Sequence, residues 1–229
     1  MKKFIIVLIA ASFIFGSIVT FSSLITGSDS NANSVDTNSS NNGEGMGLEG
    51  GQDTTKIYGT SRHIYGQADA LVTITIFTDF DCSYCATLAP NLKAIVDTYP
   101  SQFKLIFRQY PSPSNDLSIL IANATEYAAQ NTNNDTFWKL HDRIFDNQDV
   151  LSREKIVELA TGLGIDKEGL NHAIDNRINQ SLIDQDIADG NALGINGSPT
   201  VFIDDQRAKF DTIEDLLTLI SLKMYNGAE

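Results

Sequence analysis

Cys82 and Cys85 are the only two cysteines in the chain, and they stand as a C-x-x-C. That spacing is one helical turn, so a helix starting at the first thiol brings the second onto the same face, within reach of a disulfide. The unpaired N–H groups and the dipole of a helix N-terminus favour an anion, which holds the outer thiol as its thiolate. Cys82, nearer the helix end and solvent, is therefore the expected attacking thiol. Cys85, a turn inside, is the expected resolving thiol in an exchange that passes through a mixed disulfide. Two other chemistries use the same pair, a structural disulfide and half of a metal site. A staple across so short a loop constrains the unfolded chain little. Two cysteines do not complete a four-ligand zinc site, and His63, His141 and His172 show neither H-x-x-H nor H-E-x-x-H spacing. The pair points to redox chemistry without a bound cofactor or metal.

The elements around the pair supply the positioning. Residues 71–77 (LVTITIF) are β-branched and apolar, a strand signal. After the link Thr78-Asp79-Phe80-Asp81, Leu88, Leu92, Ile95, Val96 and Tyr99 recur at helical spacing as far as Pro100. Residues 103–109 read as a second strand. Segments 117–130, 135–147, 152–163, 167–176 and 178–193 carry helical periodicity and form a block of five short helices. Residues 200–203 (TVFI) read as a strand, 204–206 as a turn and 207–210 as a returning strand. Residues 212–225 read as a closing helix with Ile213, Leu216, Leu217 and Ile220 inward. Neither β part alone has enough strands to bury a face, so both are expected in one sheet of an α/β fold.

The charge sum, 16 Lys and Arg against 29 Asp and Glu, gives −13, and no basic cluster lies beyond Lys2 and Lys3. Nucleic acid is excluded as a partner on that ground. Residues 4–25 carry no charge, about the 20 positions a helix needs to cross a bilayer. Residues 1–26 therefore read as an N-terminal membrane anchor or signal segment. The apolar run is longer than a signal peptide's usual one, which favours an uncleaved anchor in the lipid bilayer over secretion after cleavage. Residues 27–55, built from Ser, Asn, Gly, Asp and Thr, read as a disordered linker with a reach of about 30 Å. The two lysines before the span place residues 56–229 on the extracytoplasmic side, where disulfides persist.

A second feature precedes TVFI: Asn196-Gly197-Ser198-Pro199-Thr200, with proline at the strand's first residue, where a missing donor is tolerated. Together with it, residues 66–85 (GQADALVTITIFTDFDCSYC), Phe107-Arg108-Gln109-Tyr110-Pro111, Phe137-Trp138-Lys139-Leu140-His141 and Gly197-Ser198-Pro199-Thr200-Val201-Phe202 resemble the DsbA-like thiol-disulfide oxidoreductases over roughly residues 57–225. The resemblance implies a thioredoxin-like fold with an inserted α-helical domain at about residues 114–193. It implies that Cys82 is the nucleophile, Cys85 the resolving cysteine, and Pro199 a cis-proline that faces them and shapes the substrate groove between Ser198 and Thr200. Its implied partners are cysteine-containing unfolded or folding proteins and a membrane redox partner that resets the disulfide. Phe80 and Tyr84 offer an apolar lip to such chains or pack inward.

Two positions depart from the family pattern. Many relatives place a buried acid six residues before the nucleophile, where this chain has Ile76. The strongly oxidising relatives carry a histidine inside the C-x-x-C, where this chain has Ser83 and Tyr84. Asp79 and Asp81, just upstream, raise a nearby thiol pKa unless they form a solvated turn with screened charges. His141, beside Trp138, reads as a packed surface residue rather than a base. The expected function is an extracytoplasmic oxidoreductase that donates disulfides. A disulfide reductase or isomerase, or a non-catalytic thioredoxin-fold module binding a metal or peptide, are the alternatives.

Overall fold

The computed structural model describes residues 46–226; the candidate span, residues 4–25, and the linker as far as residue 45 lie outside the described residues. Strand β3 (Val72–Thr78) is buried at every residue, as an apolar run covered on both faces must be. Its parallel neighbour β4 (Phe103–Gln109) pairs with it from Val72 opposite Phe103 to Thr78 opposite Gln109. A parallel pair needs a crossover, here helix α2 (Ser83–Thr98). Pro90, inside that helix, lacks the N–H that would bond the Ala86 carbonyl. Strand β5 (Thr200–Ile203) lies antiparallel on the other side of β3, and β6 (Gln206–Lys209) returns beside β5 through Asp204, whose φ is 55°. Helix α8 (Ile213–Asn226) closes the described chain.

Three elements carried no readable signal. Strand β1 (Gly47–Glu49) pairs with β6, helix α1 (Thr54–Tyr58) starts at Asp53, whose side chain accepts the Thr55 N–H, and β2 (His63–Gly66) pairs with β4. The sheet order is β1-β6-β5-β3-β4-β2. The linker expected as far as residue 55 thus gives way to regular structure by residue 47. Leu48 packs against the core while its backbone pairs with Ala208, so a single apolar side chain fixes a segment otherwise made of glycine and polar residues.

The insertion between β4 and β5 is helical, as its periodicity requires: α3 (Asp116–Asn131), α4 (Asn134–Phe145), a 3-10 turn (Gln148–Val150), α5 (Arg153–Thr161), α6 (Lys167–Asp175) and α7 (Gln180–Ala192). Asn115, Asn133, Ser152 and Asp166 cap four of these helices, each accepting a first-turn N–H. Helix α7 begins later than the residue 178 expected, because Arg177 sits at φ 47° and turns the chain.

The main core joins α2, one face of the sheet and the insertion. Phe107 stands at its centre, stacked on Phe80 and edge-on to Phe137, Trp138 and His141. His141 is 1% exposed, so it is a core residue and not the packed surface residue expected. Burial holds its pKa below the ordinary histidine value, against the opposing pull of Asp142. The neutral ring fills an aromatic pocket.

Arg108 ties the other face together. Its Nε donates to Asp186 Oδ1 at 2.9 Å, its Nη2 to Asp189 Oδ2 at 2.7 Å, and its Nη1 to the carbonyls of Lys56 and Ile57 at 2.7 and 2.9 Å. Helices α1 and α7 are thereby fastened to β4. Gly59, at φ 53°, ends α1 against this guanidinium, where a Cβ would collide with it. Arg108→Met should cost about 3 kcal/mol, because it breaks a buried ion pair and leaves Asp186 with Arg62 Nη2, at 3.0 Å, as its remaining cation. Adding Asp186→Asn should recover part of that loss in chemical denaturation, since the amide still accepts the Gln109 N–H that Asp186 now receives at 2.9 Å.

Candidate active site

Cys82 is the N-cap of α2, in extended conformation at φ −88° and ψ 117°. The turn before it is closed by its own N–H, which donates to the Asp79 carbonyl at 3.2 Å. Its Sγ then takes the place of a capping oxygen and accepts the Cys85 N–H at 3.2 Å. Cys82 is half-buried and Cys85 fully buried, and both are free thiols.

This geometry splits the two acidities. A hydrogen bond from the Cys85 thiol lowers the Cys82 pKa most, burial opposes it, and the backbone N–H groups of Cys85 and Tyr84 lower it further, against the charge of Asp79; the result is about 6. Cys85 moves the other way: burial, and then its role as donor to Cys82, push its thiol well above the ordinary range. The Asp79 N–H and the Thr78 hydroxyl offset only part of that rise. One cysteine is poised as a nucleophile at neutral pH while the other holds its proton.

The loop before β5 faces the pair. The Ser198 carbonyl lies 3.9 Å from Cys82 Sγ, and the Ser198–Pro199 peptide bond is cis, as the family resemblance implies. Thr200 is buried and donates its hydroxyl to the Gly197 carbonyl at 2.9 Å, which braces the loop. Pro199, Thr200 and Tyr84 line an open cleft of about 690 Å³ whose remaining walls include Phe210, Arg207 and Lys209. Tyr84 is 40% exposed, so it presents an apolar ring beside the nucleophile.

Phe80 does not. At 1% exposed it stacks on Phe107 and packs at a tilt against Phe145 within the core, so the apolar lip expected from it is absent and its ring supports the active-site turn from below. Ile76 is also fully buried, so an apolar side chain fills the place of the acid found in many relatives. Asp79 is not a solvated turn residue: it is 5% exposed and accepts hydrogen bonds from the N–H groups of Asp81 and Ser112, both at 2.9 Å, and from the Ser118 hydroxyl at 2.8 Å. Asp81 is half-buried and accepts from Asn115 Nδ2 at 2.6 Å. Ser112, Asn115 and Ser118 had no visible link to the dithiol in the sequence, because only the fold brings the start of α3 under that turn. Among the described residues no group of three or more His, Cys, Asp or Glu side chains is arranged to hold a metal ion.

A family model described as thioredoxin matches residues 59–221. The chain belongs to the thioredoxin family. Within that family it is similar in structure to BdbD from Bacillus subtilis, at 20% identity and a TM-score of 0.65, covering 78% of this chain and 98% of that one. It is also similar to DsbA2 of Pseudomonas aeruginosa, at 26% identity and a TM-score of 0.57, covering 70% and 93%. The thiol-disulfide exchange protein alpha-DsbA2 of Wolbachia pipientis matches with a TM-score of 0.62 at 19% identity, covering 73% and 90%. These neighbours agree with the DsbA-like resemblance read from the motifs. In sequence the chain is similar to a Na(+)/H(+) antiporter NhaA of Herminiimonas arsenicoxydans, 29% identical over 147 residues, or 64% of this chain and 23% of that protein. The chain thus spans less than a quarter of the length of that curated relative.

The acidity split makes alkylation selective. In the folded, reduced protein, iodoacetamide should modify Cys82 alone, at a rate that rises with pH through a midpoint of about 6 and levels off near neutrality. Cys85 should react only after unfolding, as mass spectrometry of the alkylated chain would show.

Proposed function

We propose that the protein is an extracytoplasmic thiol-disulfide oxidoreductase that donates its Cys82–Cys85 disulfide to cysteine pairs of other proteins. The observation that carries this reading is the geometry of the pair, with Cys82 Sγ accepting the Cys85 N–H at the helix start and Cys85 buried behind it, an arrangement that holds the two thiols at opposed acidities. A substrate thiolate attacks Cys82 Sγ, the Cys82–Cys85 bond breaks, and Cys85 leaves and takes up a proton. A second substrate thiolate then attacks the substrate sulfur of the mixed disulfide and expels Cys82 as its thiolate. Two electrons have passed from the substrate to the dithiol. Cys82 is a good leaving group in that second step because its thiolate is stabilised.

Resetting the pair runs the same chemistry backwards against an oxidant of higher potential, which we assign to a membrane-resident redox partner. The cleft beside Pro199 and Tyr84 is open enough to admit an extended chain, in keeping with unfolded or folding proteins as substrates. The charge-free segment at residues 4–25 supports a single-pass anchor with the domain outside the cytoplasm. Among the described residues no helix is long and apolar enough to cross a membrane.

One observation favours a second reading, a disulfide reductase or isomerase: the Asp79 carboxylate raises the Cys82 pKa and so weakens the pair as an oxidant. Thiol trapping in cells separates the two, with a mainly oxidised pool expected for the donor and a mainly reduced pool for the reductase. In either direction, Cys82→Ser should abolish exchange, and Cys85→Ser should accumulate partners as mixed disulfides released by dithiothreitol. If Cys82→Ser traps partners and Cys85→Ser does not, the two roles are reversed.

A further inference from the structure

We propose that Asp79 is a positioning residue that fastens the active-site turn to the helical insertion and, through its fixed charge, keeps the dithiol a weaker oxidant than its helix start alone would make it. This rests on the exchange function proposed above and concerns the setting of its strength.

The geometry calls for a carboxylate at this position. One oxygen accepts the Asp81 N–H and the other accepts the Ser112 N–H together with the Ser118 hydroxyl. An asparagine has a single acceptor oxygen, so its NH₂ would face one of two backbone donors that cannot turn away. The same residue's carbonyl receives the Cys82 N–H, which fixes the approach to the nucleophile. Asp79 therefore joins three segments: the turn that carries Cys82, the loop after β4 at Ser112, and the first turn of α3 at Ser118.

All three donors to the side chain are neutral, so they stabilise its negative charge without cancelling it. The carboxylate is 5% exposed, and a buried charge is screened less by salt than a surface one. Its effect on Cys82 opposes those of the Cys85 thiol and of the backbone N–H groups of Cys85 and Tyr84. A less stable thiolate means a less stable reduced form, and hence a weaker oxidant. Asp81, half-buried and held by Asn115, lies nearer solvent, where its charge is screened more than that of Asp79.

Three variants weigh the charge against the bracing. Asp79→Asn removes the charge together with one backbone tie, and should raise the thiolate-to-thiol ratio of Cys82 at fixed pH by about threefold to tenfold. Its equilibrium constant against glutathione should move toward the reduced enzyme by a similar factor, about 15 to 30 mV for this two-electron couple. Ser118→Ala removes one tie and keeps the charge, so it should lower thermal stability and leave both constants in place. Asp81→Asn should move them less than Asp79→Asn does. An Asp79→Asn protein with unmoved constants, a shift toward stronger reducing power, or an equal shift in Ser118→Ala would overturn the assignment.

A measurement on the wild type covers the case in which Asp79→Asn does not fold. The carboxyl carbon resonance of Asp79 should show a step at the Cys82 midpoint, near pH 6, in the reduced protein and none in the oxidised protein. Absence of that step in the reduced protein would equally overturn the proposal. A wild type that exchanges with glutathione while its Asp79→Asn variant stays unmoved rejects the role of Asp79 alone. A wild type that does not exchange at all rejects the function on which it rests.

Discussion

The hydrogen bond from the Cys85 N–H to Cys82 Sγ is the contact on which the site depends. It exists only if Cys82 stays outside the helix, in extended conformation, while Cys85 is already inside it. Sulfur then does what a capping oxygen does elsewhere, accepting a first-turn donor that would otherwise be unpaired. The same arrangement that starts the helix stabilises a charge on one thiol and buries the other. Local folding and chemical reactivity are, at this turn, a single requirement.

The rest of the molecule holds that turn still. From below, Phe80 is anchored in the aromatic cluster around Phe107, and its carbonyl accepts a hydrogen bond from Gln148 of the 3-10 turn. From the side, Asp79 binds Ser112 and Ser118. From above, the Ser198 carbonyl limits where Cys82 can move. Behind the sheet, the Arg108 cluster fixes α7, which leads back toward the Pro199 loop through Leu193 and Ile195, both buried against Phe77 and Phe202. The insertion thus contributes more than bulk: its first helix, its 3-10 turn and its last helix each brace a segment that borders the dithiol.

Much of this was legible in the sequence because it rests on short-range patterns. The β-branched run of β3, the helical spacing after Cys82 and the five periodic segments of the insertion report periodicities that the structure reproduces. The C-x-x-C and the Gly197–Phe202 stretch are likewise local. What escaped depends on contacts distant in sequence. β1 is three residues held by β6, and β2 is an edge strand of four whose His63 bonds to Glu126 of α3. Phe80, His141 and Asp79 were each visible as residue types, yet whether a side chain beside the active site faces solvent or core follows from the placement of α3 and α4, which no local pattern encodes. The aspartate shows this most plainly, since a Thr-Asp-Phe-Asp link reads equally as a solvated turn or as charge acting on the thiol until Ser112 and Ser118 are folded beneath it.

The central claim is that the Cys82–Cys85 pair is a reversible redox couple whose reduced form is stabilised at Cys82 and restrained by Asp79. Its most direct test is equilibration of the wild-type protein with glutathione buffers of graded potential, with the dithiol and disulfide forms separated after acid quenching. The account predicts a two-electron transition with a reduction potential between the reference values of about −270 mV for thioredoxin and about −120 mV for DsbA. A pair that fails to equilibrate, or a potential outside that interval, would contradict it.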